Sequence, residues 1–246
     1  MENMVTIQST EGDIPAYEAR PEGEIKGGLI VIHEVWGLAP HIKDVARRFA
    51  REGYLALAPD LLSGTIDVAE AAGLQEDLFN PEKRNAVQPK LRQLMAPIMN
   101  PEFGAATTKR VRACFDYLYA KPETKQQVAI VGFCFGGTYS FALAVHEPRL
   151  KLALPFYGHA DFTTHELQVI ACPVRAFYGE RDGNLMASLP GLKKNMQAAG
   201  VDFEATIYPD CGHAFFNDTN RFAYNEAAAA AGWKTALSEL ETALSH

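Results

Sequence analysis

Hydrophobic and polar positions along the chain follow two rhythms. Short, nearly continuous apolar runs recur as "GGLIVIHE", "YLALAPD", "QVAIVGF", "LKLALPFYG" and "PVRAFYG". Their length and content predict strands buried on both faces. Between them, apolar residues repeat at three- and four-residue spacing: Ile42, Val45, Ala46 and Phe49; Val111, Cys114, Phe115 and Leu118; Leu189, Leu192 and Met196; Trp233, Leu237, Leu240 and Leu244. That is the spacing of helices with one buried face. Gly53 and Gly200 close the first and third of these, and Pro148 helps end a helix through "TYSFALAVH". At the start of the chain, "MVTIQS" and "IPAYEAR" alternate around Glu11-Gly12-Asp13 and predict a hairpin. "FEATIYP" predicts a last strand, and the alanine run at 227–231 reads as helix.

Alternating strands and helices imply an α/β fold: a mostly parallel central sheet, right-handed crossovers and helices on both faces. On such sheets ligands bind at the carboxyl ends of the strands, so the residues just after each strand carry the most information. The 246 residues read as a single domain, 1–246. One segment breaks the rhythm. Residues 63–105 separate a strand from its helix, and connections of that length are seldom plain loops. With Leu74, Leu78, Leu91, Leu94 and Met95 available for short helices, the segment reads as a lid-like insertion near the site.

Composition and charge narrow the class. The chain is 48% hydrophobic and 22% charged, as in ordinary globular proteins. A formal charge of −7 without any basic block argues against nucleic acid as a partner. No apolar run approaches a membrane span, and the N-terminus has no secretory pattern. The four cysteines, Cys114, Cys134, Cys172 and Cys211, are scattered without a CxxC pair, which suits a reduced, cytoplasmic chain rather than a disulfide framework or zinc site. The oligomeric expectation is a monomer or small homo-oligomer.

Candidate chemistry starts at Gly132-Phe133-Cys134-Phe135-Gly136-Gly137. Cys134 could be a buried filler, a redox thiol or a nucleophile. Its surroundings match strand, tight turn, nucleophile, helix, the geometry of G-x-S-x-G with sulfur in place of oxygen. Glycines two positions away on either side are what such a turn requires sterically. A helix starting at once directs free N–H groups toward the sulfur, which favours thiolate and can hold an oxyanion. Cys114 and Cys172 sit in no such pattern and read as packing residues.

A thiol nucleophile needs a base, and the base an orienting group. Asp182 follows "PVRAFYG" in "GERDGN", and His213 follows "FEATIYP" in "DCGHAFF", so nucleophile, acid and histidine come in the expected chain order, each after a strand. His33, at a strand end, reads as a satisfied core histidine. His41, His146, His159, His165 and His246 read as loop or helix-surface residues. After the first long strand, "VIHEVWGL" offers the Val35 N–H to pair with that of Phe135 as an oxyanion hole. Glu34 there puts a carboxylate close to the nucleophile, and its bland alternative is a surface salt bridge.

"HEVWGL", "GFCFGG", "GERDGN" and "CGHAFF" together resemble, in order, the signature blocks of the dienelactone hydrolases. These are carboxymethylenebutenolidase-like cysteine members of the α/β-hydrolase superfamily. The resemblance spans nearly the whole chain. It implies Cys134 as nucleophile, His213 as its base, Asp182 as orienting acid, and Glu34 as a switch carboxylate that pairs with the resting thiol. Thiolate would then form only with substrate bound, which protects it from oxidation. It implies hydrolysis of a small-molecule ester or lactone through an acyl-thioester, with no metal or organic cofactor. It also implies two arginines for a substrate carboxylate. One position holds Asn217 here, and Arg84 fits the other. Losing one charge-assisted contact costs about 1.5–3 kcal/mol of binding, which points to a different or less charged ester. Trp36 and Tyr157 are the aromatic candidates for the pocket wall.

Two other classes fit parts of the pattern. A non-catalytic binding protein on the same fold would show no activity toward small esters. A thiol redox protein would use Cys134 with Cys211 as its resolving partner.

Overall fold

The computed structural model describes residues 1–245, so His246 lies outside the described residues. Eight strands form one sheet: β1 (Glu2–Ile7), β2 (Ile14–Ala19), β3 (Gly27–Ile32), β4 (Tyr54–Pro59), β5 (Val128–Phe133), β6 (Ala153–Phe156), β7 (Val174–Gly179) and β8 (Phe203–Tyr208), in the order β1-β2-β4-β3-β5-β6-β7-β8. The hairpin β1–β2 is antiparallel and joins β4 antiparallel, and every pairing from β4 through β8 is parallel. β3, β4 and β5 are buried at every residue, which explains their unbroken apolar runs.

The helices are α1 (Pro40–Arg51), α2 (Val68–Phe79), α3 (Arg84–Met95), α4 (Pro101–Tyr119), α5 (Phe135–His146), α6 (Thr164–Leu167), α7 (Gly183–Ala199) and α8 (Glu226–Leu244). Adjacent glycines on β3 define the two layers. A Cβ on Gly27 would meet Leu244 of α8 at 3.0 Å, whereas one on Gly28 would meet Leu118 of α4 at 3.2 Å. Successive strand residues point to opposite faces, so α8 and α4 cover opposite sides of the sheet. α1 joins α8 through Phe49 and Trp233, whose rings are 4.3 Å apart.

The structure departs from the sequence pattern in identifiable places. α4 starts at Pro101, because Asn100 caps the Glu102 N–H at 2.9 Å and proline favours the first helical position. The last helix buries Ala228, Ala229, Gly232, Ala236, Leu240 and Leu244, leaving Trp233 and Leu237 only half-buried. Small residues win that face because it lies close to the sheet: a Cβ on Gly232 would be 3.0 Å from the Phe156 ring. Two short 3-10 helices, Ala96–Met99 and Pro122–Thr124, and the one-turn α6 carry no apolar repeat long enough to announce them. Within the 63–105 segment, α2 and α3 form a helical pair, and α3 buries no residue fully.

Candidate active site

β5 ends at Phe133 and α5 begins at Phe135, leaving Cys134 to turn the chain alone at φ 55°, ψ −109°. This left-handed conformation is costly for a residue with a side chain, and the surroundings enforce it. The Cys134 N–H donates to the Phe156 carbonyl at 3.0 Å, and the Gly136 N–H donates to the His33 carbonyl at 3.1 Å. A Cβ on Gly132 would collide with the Gly136 carbonyl, and one on Gly136 with the Ile32 carbonyl. The glycine pattern is therefore the steric condition for the turn. Among the described residues, neither the Phe135 nor the Val35 N–H has a hydrogen-bond acceptor. The first belongs to the N-terminus of α5, and both follow strand ends.

Asp182 is the N-cap residue of α7, and His213 lies in the loop after β8. The two loops are fastened to each other: Glu180 N–H donates to Tyr208 O at 3.0 Å and Arg181 N–H to Cys211 O at 2.7 Å. Gly179 permits this approach, since a Cβ there would strike the Cys211 and Gly212 carbonyls. His213 Nδ1 consequently lies 2.5 Å from Asp182 Oδ2. Burial pulls the His213 imidazole down, but the charge at Cys134 and the Asp182 hydrogen bond outweigh it and hold it well above the ordinary histidine value. Nδ1 is committed to Asp182, which leaves Nε2 to exchange protons.

Glu34 is 3% exposed, so it is no surface salt bridge. Its Oε1 accepts from the Tyr157 hydroxyl at 3.2 Å and its Oε2 from Asn217 Nδ2 at 2.6 Å. Burial raises its carboxyl, opposed in order by His41, Asn217, His213 and Tyr157. Tyr157 and Asn217, sought in the pocket wall, are instead buried anchors for this carboxylate. Trp36 is buried in the core beside the same turn, a packing aromatic. His33 is a satisfied core residue: its Nδ1 lies 2.6 Å from the Glu34 carbonyl, and its Nε2 accepts from the Leu61 N–H at 3.1 Å. Cys114 and Cys172 are buried, and burial pushes both thiols up to about 12.

One histidine contradicts the sequence expectation. His41 is buried, not on the helix surface. Its spacing from Val45 and Phe49 places it on the apolar face of α1, a signal the polar side chain obscured.

Beside the Asp182–His213 pair opens a cavity of about 1010 Å3, lined among others by Leu78, Phe79, Arg84, Phe222 and Tyr224. Leu78, Phe79 and Arg84 come from the helical insertion, and Arg84 is exposed.

A parallel sheet with an antiparallel N-terminal hairpin, a strained strand–turn–helix elbow, and an acid and histidine on successive later loops define an α/β-hydrolase. Within that class, the sequence profile of the dienelactone hydrolase family matches residues 14–244. A provisionally named carboxymethylenebutenolidase of Saccharolobus solfataricus is 34% identical over 98% of both chains. One from Salmonella typhimurium is 31% identical over 95% of this chain and 84% of the relative. A crystal structure of a provisionally named dienelactone hydrolase from Klebsiella pneumoniae superposes with a TM-score of 0.82, at 26% identity over 98% of each chain. The chain belongs to the dienelactone hydrolase family and is a carboxylic ester hydrolase.

Proposed function

We propose that the protein hydrolyses a small ester or lactone with Cys134 as nucleophile, through an acyl-thioester. The carrying observation is the strained elbow that presents Cys134 at the start of α5, together with an imidazole tied to Asp182 at 2.5 Å on the later loops. In this reading the Cys134 thiolate attacks the ester carbonyl, and the Val35 and Phe135 N–H groups hold the resulting oxyanion. The carbon–oxygen bond breaks, and the His213 imidazolium gives its proton to the leaving alkoxide. Neutral His213 then takes a proton from water, hydroxide attacks the thioester, and the acid leaves with return of the thiolate. Asp182 orients the ring throughout. Glu34 is the switch carboxylate. Its oxygens accept from Tyr157 and Asn217, which hold the carboxylate in place.

The substrate class follows from the cleft. Asn217 is committed to Glu34 and offers nothing to a substrate carboxylate. Arg84 is the cation of the cleft that the insertion provides. A different or less charged ester or lactone therefore fits better than dienelactone itself. We take the chain as one domain, with residues 63–105 as a lid over this cleft, acting in the cytoplasm. Among the described residues no helix is long and apolar enough to cross a membrane.

Replacing Cys134 by Ala tests the proposal. Steady-state hydrolysis of aryl esters should fall at least about a thousandfold, while the thermal unfolding midpoint stays within a few degrees. Retention of most activity would end the cysteine assignment.

A further inference from the structure

His33 follows β3 directly and is fully buried. Two contacts of opposite sense fix its ring. Nε2 lies 3.1 Å from the Leu61 backbone nitrogen, whose N–H can only donate, so Nε2 is the unprotonated nitrogen. The proton of the neutral imidazole therefore sits on Nδ1, which donates to the Glu34 carbonyl at 2.6 Å. Leu61 is held in turn, since its carbonyl accepts from Arg110 Nη1 at 3.1 Å. Burial pushes the imidazole below the ordinary histidine value, against the opposing pull of the Glu34 carbonyl.

The Glu34 carbonyl and the Val35 N–H belong to one peptide unit. That peptide is trans, so its C=O and N–H point in opposite directions within one plane. A hydrogen bond that fixes the carbonyl thereby fixes the N–H. The backbone of His33 acts on the other side of the site. Its carbonyl accepts from the Gly136 N–H at 3.1 Å, one residue beyond Phe135. The Phe135 ring also stacks on the imidazole, with centroids 5.6 Å apart and planes 2° from parallel.

We propose that His33, as the neutral Nδ1–H tautomer, is the positioning residue of the oxyanion hole. Its side chain holds the Glu34–Val35 peptide and its carbonyl holds the start of α5, so the Val35 and Phe135 N–H groups keep fixed directions relative to each other. The inference rests on the oxyanion reading given above and adds the residue that aligns the donors. Negative charge develops on the oxygen only as the tetrahedral intermediates form, so alignment matters there and little in the substrate complex.

The wild-type ring provides the first test and needs no variant. Nitrogen–proton correlation NMR at pH 7 should find a neutral imidazole with its proton on Nδ1. A proton on Nε2, or an imidazolium, overturns the proposal. Substitutions then separate donation from packing. Asn puts an amide N–H where Nδ1 stands, whereas Gln, nearer histidine in size, reaches the position of Nε2. His33→Gln should lower kcat by about tenfold or more with KM unchanged, short of the roughly hundred- to thousandfold cost of deleting a whole donor. His33→Asn should recover most of that loss. A packing role gives the reverse order, and that order, equal losses or an effect on KM alone refutes the proposal.

A trifluoromethyl ketone reports on the oxyanion itself. The Cys134 thiolate adds to its carbonyl carbon, the C=O electron pair moves to oxygen, and a hemithioketal alkoxide results. In the wild type the Val35 amide proton should move downfield. No movement there ends the oxyanion reading and this proposal with it, whereas a wild-type shift that is unchanged in His33→Gln refutes the role of His33 alone.

Discussion

At the scale of single residues, the elbow concentrates the strongest constraints. Gly136 has the Ile32 backbone where a side chain would start, so Gly136→Ala forces the start of α5 away from β3. We expect a loss of more than about 3 kcal/mol, read as insoluble protein or a collapsed urea midpoint; a normally folded Gly136→Ala would refute the steric account. Glu34 carries the opposite prediction. Burial raises its carboxyl above the ordinary 4.5, so the folded protein holds a proton that the unfolded chain has already released. Stability therefore falls as pH rises from about 4.5 through the raised value, because the folded state binds more protons there. Glu34→Gln removes that slope, so the stability of the variant relative to the wild type should improve between pH 4 and pH 7. Denaturant titrations at the two pH values check this. The glycines around Cys134 were legible because sterics act on neighbours in sequence. The partners of Glu34 were not. Tyr157 and Asn217 are brought to it by the fold, and nothing local in "PFYG" or "AFFND" marks a donor.

At the scale of elements, β3, β4 and β5 were readable because both faces are buried, and α1 because its stripe is clean. α8 was readable as a helix but not in rotation. Its bulky stripe attracts attention, whereas close approach to Phe156 selects the alanine and glycine face. Gly232→Leu should accordingly cost about 1–3 kcal/mol by overpacking, while the half-buried Leu237→Ala costs less; equal thermal shifts for the two would contradict this packing. The insertion was legible as an interruption, from its length alone. The fact that α3 buries nothing fully could not be read from leucines that end up half-exposed.

At the scale of the molecule, loops after β7 and β8 are zipped together, and the helical insertion supplies the facing wall of a cavity of about 1010 Å3. Asp182 and His213 could be placed after their strands from sequence, but the fastening at Gly179 that joins them is a long-range approach invisible to local pattern. A cleft of this size, with Phe222 and Tyr224 in its wall, should take naphthyl esters at least as well as their phenyl counterparts. A tenfold lower kcat/KM for the naphthyl series would show that the cleft does not hold the leaving group. The central claim is the covalent step at Cys134, and mass spectrometry of protein quenched during turnover of an activated aryl ester tests it most directly. The account predicts one acyl group, released by hydroxylamine, on the peptide containing Cys134. An acyl group on any other residue, or none during a measured pre-steady-state burst, would contradict it.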